Sequence, residues 1–169
     1  MNLRTHFDDL YAHMEWADAR VWTTVLASDV ARNDEALRTT LHHIHMVQQA
    51  FLGIWQGEAP DGTAGKDLDA AGLATWGREG IAALRAHVAG LEEASFGDEV
   101  NMPWAAQVTA RLGVEPAPTL RRDTVQQVYN HTSHHRGQVM TRLRELGETP
   151  PLVDFIAWVW LARPSAEWP

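Results

Sequence analysis

The sequence predicts an all-α fold: an antiparallel four-helix bundle with a short C-terminal apolar segment, in one domain over residues 1–169. Three observations predict it. Apolar residues form four stripes with helical spacing, segments rich in glycine and proline separate the stripes, and 169 residues are enough to bury most of their apolar surface around one core.

The first stripe, Phe7, Leu10, Met14, Ala17, Val21 and Val25, advances by three and four residues, and Thr5 with Asp8 offers a capping box, so helix one is expected over about 5–26. The second stripe, Leu37, Leu41, Ile44, Gln48, Phe51 and Trp55, keeps the same spacing and stops before the turn-rich 57–65 stretch. Leu73, Trp76, Leu84, Val88 and Leu91 mark a third helix, weakened by Gly77 and Gly80 and expected to end near Gly97. Over 98–120 the periodicity fails, and Pro103, Gly113, Pro116 and Pro118 break any helix running through; a segment this long is functional or contains hidden elements. The fourth stripe, Val125, Val128, Thr132, His135, Val139 and Leu143, ends at Leu146 with Gly147 as cap and Pro150 beyond. Asp154 then opens an aromatic segment, Phe155 to Trp160, too apolar to be left in water, which is expected to pack on the bundle or on a partner chain.

Composition narrows the function. Hydrophobic content of 45% with 21% charged residues is that of an ordinary globular chain. A net charge of -8 opposes a phosphate backbone or an anionic membrane surface, so neither nucleic acid nor membrane is an expected partner. The absence of cysteine excludes disulfides, thiolate ligands and a cysteine nucleophile, and any thiol chemistry would use an external thiol. Residues 1–13 alternate polar and apolar types, so neither a leader nor an anchor is expected and the cytoplasm is the default compartment.

Nine histidines remain to be explained. With about 100° per residue and Val128 at zero, His131 falls near -60° and His135 near -20°, inside the apolar arc of helix four, whereas His134 falls near -120° at its edge. Imidazoles at i and i+4 lie about 6 Å apart, a separation one ion can bridge. An isolated H-x-x-x-H is more often a hydrogen-bonded core pair, here His131 with Tyr11 or Glu15, and Thr132 rather than glutamate follows His131, so no general base comes with the spacing. Helix two supplies possible third ligands. His42 points among Arg38 and Gln49 toward solvent, while His43 and His45 flank the core stripe on opposite sides, and geometry alone does not choose between them.

Several segments together resemble the DinB/YfiT-like family of four-helix-bundle metalloproteins. Tyr11-Ala12-His13-Met14-Glu15-Trp16-Ala17-Asp18 is similar to the family's aromatic and Trp-Ala-Asn pattern, and His43-Ile44 with Phe51 resembles its His-Ile followed by an acid and a tryptophan. Asn130-His131-Thr132-Ser133-His134-His135-Arg136-Gly137-Gln138 resembles its Asn-His-x-x-His-His-Arg-Gly-Gln run, and 146–156 resembles its ending. The resemblance implies His43, His131 and His135 as metal ligands and an up-down-down-up helix order, with the 57–69 segment as a crossover. The chain departs from the pattern at Gln48, where an acid is common, at Phe51, where tryptophan is common, and at Asp18, where asparagine is common.

Three neutral imidazoles leave at least one coordination position open, as in catalytic zinc sites, with nickel, cobalt or iron as alternatives to zinc. Similar enzymes include thiol-dependent S-transferases and a mycothiol-dependent maleylpyruvate isomerase, which implies a small-molecule substrate and a low-molecular-weight thiol here. A metal-dependent hydrolase would need a base such as Glu15, Asp18 or Glu79. The non-catalytic readings are a stress-related metal or small-molecule binding protein and a helical dimerisation unit, since the apolar C-terminal segment points to a homodimer. Trp16, Trp55, Trp104 and Trp158 are candidates for an apolar pocket near the metal, core packing being the commoner role.

Overall fold

In the computed structural model, which describes residues 2–169, helix α1, Leu3–Ala27, begins after Asn2, whose side-chain oxygen accepts the Thr5 N–H at 2.9 Å. The cap is therefore Asn2 and not the expected box at Thr5 and Asp8. Ser28 ends α1 and caps the one-turn helix α2, Asp29–Arg32, through its hydroxyl. Asp34 accepts the Leu37 N–H at 2.8 Å and starts α3, Glu35–Gln56, which Gly57 closes in the left-handed region at φ 80. Asp69 caps α4, Ala70–Gly90, in the same manner. A 3-10 turn, Glu93–Gly97, follows where the third helix was expected to continue, because the chain is already extended at Leu91. In the 98–120 segment, α5, Ala105–Leu112, is the element hidden from periodicity. Helix α6, Arg121–Glu145, is followed by Gly147 at φ 82, and α7, Phe155–Trp160, lies near the end of the chain.

The fold is all-helical; among the described residues no strand forms, and an isolated antiparallel bridge from Glu99 to Leu120 ties the ends of the α5 segment. No helix among the described residues is long and apolar enough to cross a membrane. The long helices pack pairwise, α3 on α6 and α4, and α1 on α4 and α6. One core cluster joins Phe7, Tyr11 and Met14 to Phe51, Leu84 and Val125, and a second joins Val21 and Trp22 to Leu37, Leu41, Leu73, Val139 and Leu143. Every residue of the first two predicted stripes is buried, which is the burial a helical repeat of apolar side chains demands. The C-terminal segment behaves as expected only in part: Trp158 is buried and donates its indole N–H to Pro164 O at 3.0 Å, whereas Trp160 stays 78% exposed.

Gly77, which weakens the third stripe by helix propensity, turns out to set the distance between α4 and α3. A Cβ there would meet the His45 ring at 2.4 to 2.6 Å. Gly77→Ala is accordingly expected to cost about 1–3 kcal/mol through overpacking. An unchanged urea midpoint in that variant would contradict this packing.

Candidate metal centre

Helix α6 brings His131 and His135 onto adjacent turns, and α3, packed against it, presents His43 between them. His43 Nε2 lies 3.1 Å from His131 Nε2, and the three ring centroids are 4.3 to 4.9 Å apart. One nitrogen from each ring falls within 4.8 Å of the others, and no carboxylate joins the group. With metal–nitrogen bonds of about 2.0–2.1 Å, two ligands of one ion sit about 2.9 Å apart at a right angle and about 3.4 Å apart at the tetrahedral angle. The observed 3.1 Å lies between these values.

The surrounding hydrogen bonds suit an ion better than a proton shared between two rings. His135 Nδ1–H donates to Gln138 Oε1 at 2.7 Å, which fixes its tautomer and leaves the Nε2 lone pair for a ligand bond. His131 Nδ1 is buried without a hydrogen-bond partner among the described residues, so its neighbours do not hold this ring by a second bond. A single hydrogen bond from His43 to His131 would serve two rings and leave the third lone pair facing them; one ion satisfies all three. The three-histidine site could hold a metal ion.

Burial, and then the neighbouring imidazoles, push His131 down to about 4, and burial followed by His135 and His42 lowers His43. Both rings are therefore neutral at neutral pH and offer lone pairs. Burial also lowers His13, His45 and His87. In the metal-free protein, unfolded histidines take up protons near pH 6.5 while these folded ones resist, so stability falls as pH drops below about 6.5, until His131 titrates near 4. Urea unfolding of the metal-free chain at pH 7 and pH 5 is expected to give the lower midpoint at pH 5; the reverse order would contradict these shifts.

Of the two histidines that helical geometry left open, His43 lies in the cluster, whereas His45 is engaged elsewhere. Trp22 donates its indole N–H to His45 Nε2 at 2.9 Å, and His45 Nδ1–H donates to Gln48 Oε1 at 2.9 Å, so both His45 nitrogens are used inside the core. Gln48 passes the network on, donating to Asp18 at 3.1 Å and to Thr132 at 3.2 Å, and Asp18 holds Arg136 at 2.8 Å. Arg136 is buried, a placement that no apolar stripe announces. Two of the sequence's departures from the family pattern thus touch: with an acid at 18 and an amide at 48, one carboxylate still faces Arg136.

The other candidates divide clearly. His134, placed at the edge of the apolar arc, is exposed and lies outside the cluster. His42 is not in solvent but half-buried, hydrogen-bonded to Ala64 O at 2.8 Å and stacked on Trp76, because the 57–69 segment folds over it. Tyr11 donates to Val125 O and Glu15 accepts from Arg85, so neither pairs with His131. Asp18 and Glu15 are committed to arginines and Glu79 is exposed, which leaves none of the three as a base beside the histidines. Gln138 was missed; its spacing of three from His135 is the signal that could have found it.

A cleft of about 640 Å³ adjoins the histidines, with His131 in its wall and Val47, Phe51, Met102, Trp104 and Val108 among its lining. Of the four tryptophans considered, Trp104 lines it; Trp16 and Trp158 form a separate buried cluster on α1 and α7, and Trp55 is buried in the core, its N–H on Thr124. Helix α5 and the loops beside it therefore form one wall of the cleft.

No curated protein sequence matches the chain. The DinB family matches over residues 1–167, from the first helix through α7 and including all three clustered histidines. That match covers essentially the whole chain, and the protein belongs to the DinB family.

Proposed function

We propose that this protein binds one divalent metal ion through His43, His131 and His135 and acts as a metal-dependent thiol S-transferase or isomerase on a small molecule. The observation that carries the reading is a three-histidine cluster opening onto an apolar cleft, in a chain with no cysteine of its own. An ion held there, zinc by default, would lower the pKa of a thiol at its open position and supply a nucleophile at neutral pH. Gln138 orients His135, α5 and Trp104 form an apolar wall of the cleft, and burial keeps His131 and His43 unprotonated. Among the described residues no carboxylate shares the histidine group, an absence that favours an external thiol, which needs less help from a base than water does, and so counts against the hydrolase.

The same absence favours, as a second reading, a protein that binds metal and ligand without turning the ligand over. The framework of both readings is a four-helix bundle in up-down-down-up order in one domain. Its support is the sharing of clusters: the start of α1 packs with the ends of α3 and α4 and the start of α6, and the end of α1 with the starts of α3 and α4 and the end of α6. Exposed Ile156, Trp160 and Leu161 support a homodimer.

The test uses cobalt-loaded protein, 2-mercaptoethanol and 1-chloro-2,4-dinitrobenzene. A cobalt spectrum changed by the thiol, with thioether formed faster than without protein and no faster in His131→Ala, is expected. A spectral change without product would favour binding alone; no change would retire the thiol reading.

A further inference from the structure

Helical spacing makes the cleft an extension of the histidine cluster. On α3, Val47 and Phe51 lie one and two turns beyond His43, and on α6, Gln127 and Asp123 lie one and two turns before His131; all four line the cleft. Helix α5 covers this groove with Ala105 and Val108, and Trp104 stands edge-on to Phe51 with ring centroids 5.5 Å apart. The volume, about 640 Å³, is that of a pocket for a compact organic molecule.

Charge narrows the occupant. No lysine or arginine lines the cleft among the described residues, and besides His131 its one ionisable group is Asp123, a half-exposed carboxylate that accepts the Leu120 N–H at 3.0 Å and lies 3.7 Å from Arg122 Nε outside the cleft. Away from the histidines, a carboxylate entering this groove would leave water, meet methionine, valine and aromatic carbon, and find no lysine or arginine in the wall to pair with. An alkyl or aryl body would bury apolar surface against the Val47, Phe51, Met102, Trp104 and Val108 side chains.

We propose that the cleft takes the uncharged alkyl or aryl body of the second reactant and discriminates against bodies that carry a carboxylate. Naming the occupant a reactant rests on the metal-dependent reading above; its affinity for a neutral apolar body does not. The specificity is built by α3, α5 and α6 together: the apolar contacts supply the attraction, and the lack of a basic side chain along the walls beyond the histidines supplies the selection.

The probes are 4-phenylbutanol and 4-phenylbutyrate, which share a skeleton and differ in charge, titrated into metal-free full-length protein by ligand-detected NMR. The alcohol is expected to bind about tenfold more tightly than the carboxylate. Ala50→Trp, which fills the cleft, is expected to abolish alcohol binding with the helical circular dichroism retained. Gln127→Arg, at an exposed position on the rim, is expected to raise carboxylate affinity severalfold, and it keeps the test alive if Ala50→Trp does not fold. Equal affinities, no binding of the alcohol, or no gain in Gln127→Arg would overturn the proposal. Metal content of the same protein, measured separately, decides the metal reading and leaves the binding result standing.

Discussion

Replacing His131 with alanine is expected to leave the protein without bound metal under conditions in which the unsubstituted chain holds one ion per chain. His131 touches both other rings, lying 3.1 Å from His43 Nε2 and one turn from His135. Its removal leaves two imidazoles on two separate helices, too few to hold an ion against water. Gln138→Ala should be milder, weakening metal affinity about 10- to 100-fold, because it removes only the hydrogen bond that orients His135. Because an ion bound to the folded chain stabilises it, at a hundredfold excess over Kd by about 2.7 kcal/mol, metal should raise the melting temperature of the unsubstituted protein and not that of His131→Ala. Elemental analysis beside thermal melts reads both effects. Stoichiometric metal retained in a folded His131→Ala protein would place the ion elsewhere.

The second large effect is expected in the core. Asp18 and Arg136 form an ion pair with both side chains 5% exposed, so neither charge has water to fall back on. Asp18→Ala leaves the Arg136 cation with only the Met14 carbonyl and the Ser133 hydroxyl, and should destabilise by about 3–5 kcal/mol. Replacing both, Asp18→Leu with Arg136→Met, removes the stranded charge and should recover most of the loss. The pair also bears on the site. Arg136 is the neighbour of His135, and Thr132, held by Gln48, is the neighbour of His131, so the network fixes how α6 is rotated toward α3. The double variant is therefore expected to fold yet bind metal more weakly than the unsubstituted chain. Urea midpoints for the three variants, with cobalt titration of the double one, test this. A double variant no more stable than Asp18→Ala would show that the ion pair's desolvation is not what these helices oppose.

Much of this was legible in the linear chain. An amphipathic helix writes its buried face as a local repeat, so the four long helices could be read from Phe7 to Val25, from Leu37 to Trp55, and onward without any partner in view. The i,i+4 pair His131 and His135 is equally local, since both rings ride on one helix whatever it packs against. Spacing alone kept His45 in play as a rival to His43, which the family resemblance implies; the physical reason against His45 is that Trp22 on α1 occupies its Nε2.

What depended on packing is what joins residues far apart in sequence. The meeting of His43 with His131 across α3 and α6, the burial of Arg136 against Asp18, and the reach of the 57–69 segment over His42 each involve partners on different elements. Helix α5 escaped notice because it is only 8 residues long and lies between Pro103 and Gly113, in a segment whose breakers hide so short a repeat; it buries no residue fully and forms a cleft wall instead of a core layer. The sequence alone thus determined the four long helices and the histidine pair, because both follow from periodicity within one segment. The third histidine, the buried ion pair and the uncharged cleft were decided by tertiary packing, because each is a property of the space between segments.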